Sequence, residues 1–480
     1  MSEPEALPAV SDARVLALVV GATLLVLVAF TTVITTVTAT AAEFGAGVGW
    51  QTWALGGMSL GLAAGLLTAG SLADLFGHRR VFVGANLGLA AAALLGVAAP
   101  SMLVFVAARV LQGFAGAGVL AAGLGLLARR FPPGRARTRA TGLWGAALGA
   151  GIAVGPVLAA AISESAGWRV ASALTVAGGL AATVAARGLD RAPRTQLRSR
   201  LDLPGAALMV LAMGCLLGGI TAGRTGWTSP VTLGLLAGGL GALTAFVVVE
   251  GRRREPMLDL AHFANPMFLA SVGGAAVTGL ATIALMSYMP AVLQRGLGLT
   301  ALASGAVLAL WSATSTGVAA LAGRLPARLD GTHRLLAGLL ASGVGLAGLA
   351  VLGSEGASWW VFAPGLVVAG VGSGLANAAL AGLAVESVPA AQAAVGSGAN
   401  NTARYLGAAL GIAVVVAVVA AGGPGAVGLA AGWNHAAWLT GVINLAGAGL
   451  AALAIARRRR AHRARSAHPV AHPPTPGRPS

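Results

Sequence analysis

The sequence predicts an all-α polytopic membrane protein, and three observations carry that prediction. Hydrophobic residues make up 57% of the 480-residue chain, above the roughly 45–50% of soluble domains. Charged residues account for only 9%, too few to cover a water-soluble body of this size. The apolar residues fall into long runs, each near the roughly 20 residues a helix needs to cross hydrocarbon. Membrane-barrel strands would be shorter and would alternate, and an open sheet could not satisfy its backbone in lipid. The 72 glycines follow no collagen period and suit helices packed closely in a bilayer.

Fourteen runs follow in order. The first, 14–41, starts after an acidic segment (Glu3, Glu5, Asp12) unlike the basic leader of a cleaved signal, and stops before Glu43. The second, 50–73, closes on a charged, glycine-punctuated turn at 70–80. The third, 81–99, ends at Pro100, and the fourth, 102–128, at Arg129 and Arg130. The fifth, 138–162, follows Arg135 and Arg137; the sixth, 168–186, opens on Trp168-Arg169 and ends at Arg187. Runs 203–222 and 230–250 are closed by Arg224 and by Arg252 to Arg254. The last six are 267–292, 299–322, 334–352, 359–384, 395–421 and 435–456, divided by Arg295, by Arg324 to Arg334, by Glu355, by Glu386 and by the Gly422–Gly425 turn.

An even number of crossings puts both termini on one side. On this assignment 26 of the 31 basic residues share the terminal side, three (Arg169, Arg224, Arg295) lie opposite, and Arg109 and Arg404 fall inside runs. Positive charge marks the cytoplasmic side, so both termini are expected in the cytoplasm of a cell-membrane protein. The absence of Lys, with the Ala/Gly/Val/Leu/Arg bias, reads as a bacterial, high-GC composition. The net charge of +17 is scattered through short loops, which argues against a nucleic-acid module. The lone Cys215 has no internal partner. The expected organisation is a cytoplasmic N-terminus (1–13), a six-helix bundle (14–186), a central segment with two extra spans (187–266), a second six-helix bundle (267–456) and a basic, Pro-rich, disordered tail (457–480). His462, His468 and His472 belong to that tail and read as solvated rather than as a metal site.

Three constellations carry chemistry. The turn Gly70-Ser-Leu-Ala-Asp74-Leu-Phe-Gly77-His-Arg79-Arg80 sets one carboxylate beside two guanidiniums; such a pair can form in one conformation and break in another, as a latch. Arg109 lies inside an apolar run, where an arginine is costly and normally faces a cavity or a partner. Gly145, Gly149, Gly151, Gly155 and Pro156 let two helices meet backbone to backbone and remove one amide donor.

The turn resembles the signature of the major facilitator superfamily between its second and third spans. The resemblance continues in Arg109-Val-Leu-Gln112-Gly113, in Gly145…Gly149-Ala-Gly151…Gly155-Pro156, which looks like the family's antiporter signature, and in Trp168-Arg169. It extends to Tyr288-Met-Pro-Ala-Val-Leu-Gln294 with Gly298…Gly305, to Asn401…Arg404-Tyr-Leu-Gly407, and to Gly323…Arg328…Gly331 as a degraded second copy of the first turn. The layout is similar to the fourteen-span drug:proton antiporter branch. The resemblance implies a two-lobed exporter of lipophilic organic compounds working by alternating access, with Gly70, Asp74, Gly77, Arg79 and Arg80 as latch and Arg109 in proton coupling. That branch usually has an aspartate in its first span; Phe30 or Thr31 stands there in this chain, and all fourteen acids lie in loops or near span ends. Proton coupling would then draw on Glu43, Asp74, Glu386 or His435 near the interfaces, or on Arg109 shifting a neighbour.

Cavity candidates are Trp53, Gln112, Trp144, Tyr288, Trp311, Asn377, Asn401 and Arg404, an amphipathic set suited to an uncharged or cationic compound. Thr31, Thr32, Thr35, Thr36, Thr38 and Thr40 either line the cavity or bond to their own helix. Trp50, Trp359, Trp360 and Trp433 read as interfacial belt residues. An importer of the same fold is the competing reading. A membrane enzyme would need a convergent catalytic set, and the sequence offers none. It also lacks a nucleotide-binding loop. The expected partners are therefore a small-molecule substrate, the proton gradient and the bilayer, with no cofactor, metal, nucleic acid or ATPase.

Overall fold

The computed structural model describes residues 11–132, 134–189, 203–253, 260–322, 330–353, 358–388 and 393–467. Among them the chain is helical, with no strand. The first half comprises α1 (Asp12–Glu43), α2 (Val48–Phe76), α3 (His78–Val97), α4 (Met102–Arg130), α5 (Arg135–Ala166) and α6 (Trp168–Arg187). Between the halves stand α7 (Leu203–Gly223) and α8 (Pro230–Arg252). The second half comprises α9 (Pro266–Gly296), α10 (Ala301–Leu321), α11 (Gly331–Ala347), α12 (Ala363–Glu386), α13 (Ala393–Ala421) and α14 (Gly425–Ala467).

Local chemistry explains many of the boundaries. Side-chain oxygens of Ser101, Ser229, Asn265, Thr300 and Asp330 accept from backbone amides in the first turns of α4, α8, α9, α10 and α11, supplying acceptors that a helix start lacks. Between α2 and α3, Gly77 holds φ +91°, and between α5 and α6, Gly167 holds φ +90°. Only glycine adopts that backbone at low cost, so each turn takes a single residue.

The two halves repeat the same pairings. In the first, α1 packs on α5, α2 and α3 on α4, and α3 on α6; in the second, α9 packs on α13, α10 and α11 on α12, and α11 on α14. Contacts between halves run through α2 with α13 and α5 with α10, while α7 and α8 pair and lean on α2 and α13 through α7. Glycine makes these approaches possible. A Cβ on Gly61 would stand 2.0 Å from the Val110 carbonyl oxygen, and one on Gly407 would stand 2.3 Å from that of Ala276.

Twelve helices among the described residues are long and apolar enough to cross a bilayer, thirteen if the two limbs of α2, bent by 49°, count as one span. The expected count of fourteen is thus not supported. The remaining helix, α11, has 17 residues and falls short of the roughly 20 needed, because it ends at Ala347, five residues before the predicted end at 352, although the Asp330 cap starts it three residues early. Two further expectations change. Disorder is predicted from residue 457, whereas α14 continues to Ala467; residues 468–480, with His468 and His472, lie outside the described residues. Trp433 is not a belt residue: it is fully buried and its Nε1 donates to the Leu349 carbonyl at 2.9 Å. Trp50, Trp359 and Trp360 are exposed.

Candidate functional site

The largest apolar cluster lies at the Glu43 end of the bundle and draws on both halves. Val33, Val37 and Leu55 of the first half share it with Tyr288, Met289, Val292, Val307, Val416 and Val419 of the second. Three hydrogen bonds reinforce the junction. Gln294 Nε2 donates to the Thr35 carbonyl at 3.2 Å, the Leu302 amide donates to Glu164 Oε1 at 2.7 Å, and Arg295 donates to Gln51 Oε1. This end is closed across the halves. Beside it a 550 Å³ pocket is lined by Val48, Tyr288, Arg295, Val419 and the turn around Pro424.

Glu43 anchors the same end within the first half. Its carboxylate accepts from Trp168 Nε1 at 2.5 Å and from Arg169 Nη2 at 2.7 Å. Arg169 also donates to the carbonyls of Val97 and Ala99 and lies 4.6 Å over the Trp168 ring. The group proposed from sequence as a proton carrier thus ties α1, α6 and the α3–α4 turn together.

Arg109 is 3% exposed. Its Nη1 donates to the Ala29 carbonyl and to Gln112 Oε1, both at 2.8 Å, and its Nη2 to the Phe30 carbonyl at 3.0 Å. The charge is held by backbone dipoles of α1 and one amide rather than by a carboxylate. Gln112 in turn donates to the Ala92 carbonyl at 3.4 Å, so this predicted cavity residue is instead a buried brace between α3 and Arg109.

The predicted latch takes a different partner. Asp74 lies 3.7 Å from His78, one turn on, rather than beside Arg79 or Arg80. Gly77 turns the chain so that His78 opens α3, and Arg79 is drawn off to the Arg187 carbonyl at the end of α6. Gly125 of α4 makes the room, since a Cβ there would stand 1.7 Å from the His78 ring. Sequence reasoning missed Gly125, whose only signal is one more glycine among 72.

The antiporter-like glycines divide by position. A Cβ on Gly151 would stand 2.5 Å from Leu27 Cβ, and one on Gly155 2.0 Å from Thr31 Oγ1, so these two seal α1 against α5. Gly149 looks across to Thr316 of the second half, and Gly145 meets nothing within 4 Å. Pro156 offers its carbonyl to Thr35 Oγ1 at 3.0 Å. Gly70 likewise meets nothing within 4 Å. Thr31, Thr32, Thr36 and Thr40 donate to carbonyls of their own helix, so back-bonding describes the series better than cavity lining.

The remaining cavity candidates scatter. Trp53 packs beside Gly218 of α7, and Tyr288 is buried at the closed end with its hydroxyl accepting from Arg295 at 3.2 Å. Trp311 donates to Ser373 Oγ at 3.1 Å, and Asn401 donates to the Ser397 carbonyl one turn before it. Trp144 Nε1, Asn377 Oδ1 and Arg404 Nε are buried without a hydrogen-bond partner. Arg404 precedes Tyr405, whose ring meets Phe30 edge-on at 5.7 Å across the two halves. The same Phe30 whose carbonyl holds Arg109 therefore touches the neighbour of Arg404.

Among the described residues no cluster of His, Cys, Asp or Glu has the geometry to hold a metal. Comparison with known proteins matches residues 19–412 to the model of the Major Facilitator Superfamily. The chain is 30% identical over 382 residues to the multidrug resistance protein Stp of Mycobacterium tuberculosis, covering 79% of this chain and 70% of that protein. It is 32% identical over 380 residues to the tetracenomycin C resistance and export protein of Streptomyces glaucescens, covering 77% and 68%. It is 31% identical over 445 residues to the cephamycin export protein CmcT of Amycolatopsis lactamdurans, covering 85% and 86%. Among solved structures it resembles the human organic anion transporter MFSD10, with a TM-score of 0.61 at 16% identity over 94% of this chain and all of the other; a likeness that distant speaks to the fold alone.

Proposed function

The chain belongs to the Major Facilitator Superfamily, and from that premise we propose that it exports small lipophilic organic compounds by alternating access driven by proton antiport. It is a transporter and not an enzyme, and it resembles multidrug and antibiotic exporters. The observation that carries the mechanism is Arg109, a guanidinium sealed at membrane depth and held by two carbonyls of α1. Those hydrogen bonds depend on the position of α1, so α1 cannot move relative to α4 without re-solvating or re-pairing the charge. Closure at the Glu43 end supports a two-lobe cycle in which that end opens in turn. We also read α2 and α11 as crossings, which places the chain in the fourteen-span branch with both termini cytoplasmic; the arginine distribution supports this.

The test is transport into inverted membrane vesicles with a panel of lipophilic compounds. Uptake should accelerate when the vesicle interior is acidified and fall when a protonophore collapses the gradient. Uptake indifferent to the gradient overturns antiport while leaving export standing.

A further inference from the structure

Resting on the exporter reading, we propose that Arg404 anchors an acidic group on the transported compound, so that the preferred cargo is an apolar, ring-bearing organic anion. Arg404 lies eleven residues into α13, about 16 Å along the axis from its first residue at the helical rise, too deep for its guanidinium to snorkel to the helix end. It is half-buried, its Nε is buried without an acceptor, and among the described residues its side chain makes no hydrogen bond or ion pair. Arg109 differs: three acceptors occupy its two terminal nitrogens.

The described carboxylates offer Arg404 nothing. Asp12, Glu43, Asp74, Glu164, Glu250 and Glu386 all lie within two residues of a helix end, and Asp330 caps α11. Two guanidiniums therefore sit at membrane depth against no interior carboxylate among the described residues. A cation in a low-dielectric site attracts an anion far more strongly than it would in water, and a planar guanidinium matches a carboxylate or similar oxyanion with paired N–H groups.

A second donor points the same way. Trp144 Nε1 on α5 is buried without an acceptor, and its ring packs on the core cluster that contains Tyr405 and Phe30. The unmet groups are thus N–H donors from two halves of the molecule, and Trp144 packs on the cluster that holds Tyr405, the residue next to Arg404. An acceptor-bearing anion with an apolar ring completes them; a cationic compound adds to the uncompensated positive charge.

Binding of 1-pyrenebutyrate and its uncharged amide to the detergent-solubilised full chain tests this. In the wild type the acid should bind at least about tenfold more tightly than the amide, the worth of one charge-assisted contact. Arg404→Gln should bring the acid to the amide's affinity while leaving the amide within about twofold, which also reports that the variant is folded. Arg404→Lys should keep part of the preference. Equal affinity for acid and amide in the wild type, equal weakening of both by Arg404→Gln, or no binding of either probe overturns the proposal. Acid-selective, Arg404-dependent binding with no transport in vesicles upholds the anion site and counts against the exporter reading instead.

Discussion

At the scale of the residue, the buried arginine in α4 shows what sequence does and does not encode. An arginine in an apolar run announces a buried charge, and Arg109 is one. Its partners are mostly main-chain oxygens, and a carbonyl has no letter in the sequence, so Ala29 and Phe30 were illegible as ligands. Asp74 illustrates the same limit: proximity in sequence to Arg79 and Arg80 does not determine pairing, because Gly77 opens α3 on His78 and Arg79 reaches the Arg187 carbonyl instead. The clasp of Glu43 with Trp168 and Arg169 joins residues more than a hundred positions apart, and spacing gave it no signal. For Arg109→Ala, drug tolerance on expression should fall to that of cells lacking the protein while its level in the membrane is unchanged. Gln112→Ala, which removes one of three acceptors, should lower tolerance only in part. Full tolerance in Arg109→Ala cells would remove the residue from the mechanism.

At the scale of the element, the contact between α1 and α5 was readable because glycine spacing and backbone approach are the same fact seen twice. The resemblance did not tell Gly145 from Gly151; the geometry does. Gly151→Ala drives a methyl group into Leu27 and the Leu24 carbonyl, an overpacking that costs about 1–3 kcal/mol. Gly145→Ala meets nothing and should be neutral or stabilising, by up to about 1 kcal/mol from helix propensity. Thermal unfolding in detergent reads the difference; equal melting temperatures would mean the two helices are looser than drawn. The π turn Thr278–Ile283 within α9 was not legible. It lies where α13 presses closest, with a Cβ on Gly279 1.9 Å from the Arg404 carbonyl oxygen, and local sequence carries no mark of that neighbour. The length of α11 is hidden for a related reason: an apolar run does not end where its helix ends, and this helix stops at Ala347 while the run continues to 352.

At the scale of the whole molecule, composition alone established a membrane bundle, and the repeated pairings of the two halves agree with the family's internal symmetry. What no local pattern reveals is which end is shut. The Gln51–Arg295 contact joins the halves at the Glu43 end through two long side chains, so a bis-methanethiosulfonate bridge between Gln51→Cys and Arg295→Cys, in a background with Cys215→Ser, should hold that end closed. Transport should stop once the bridge forms and return when a reductant cleaves it; transport unaffected by the formed bridge would show that the two halves do not part there. The reach of α14 has a practical corollary. Its last stretch, from Ala456 to Ala467, adds about 16 Å of rod at 1.5 Å per residue beyond the part apolar enough to span. A fluorescent protein joined directly after Ala467 would thus be carried on a stand-off beyond the span, placed to report the molecule's tilt.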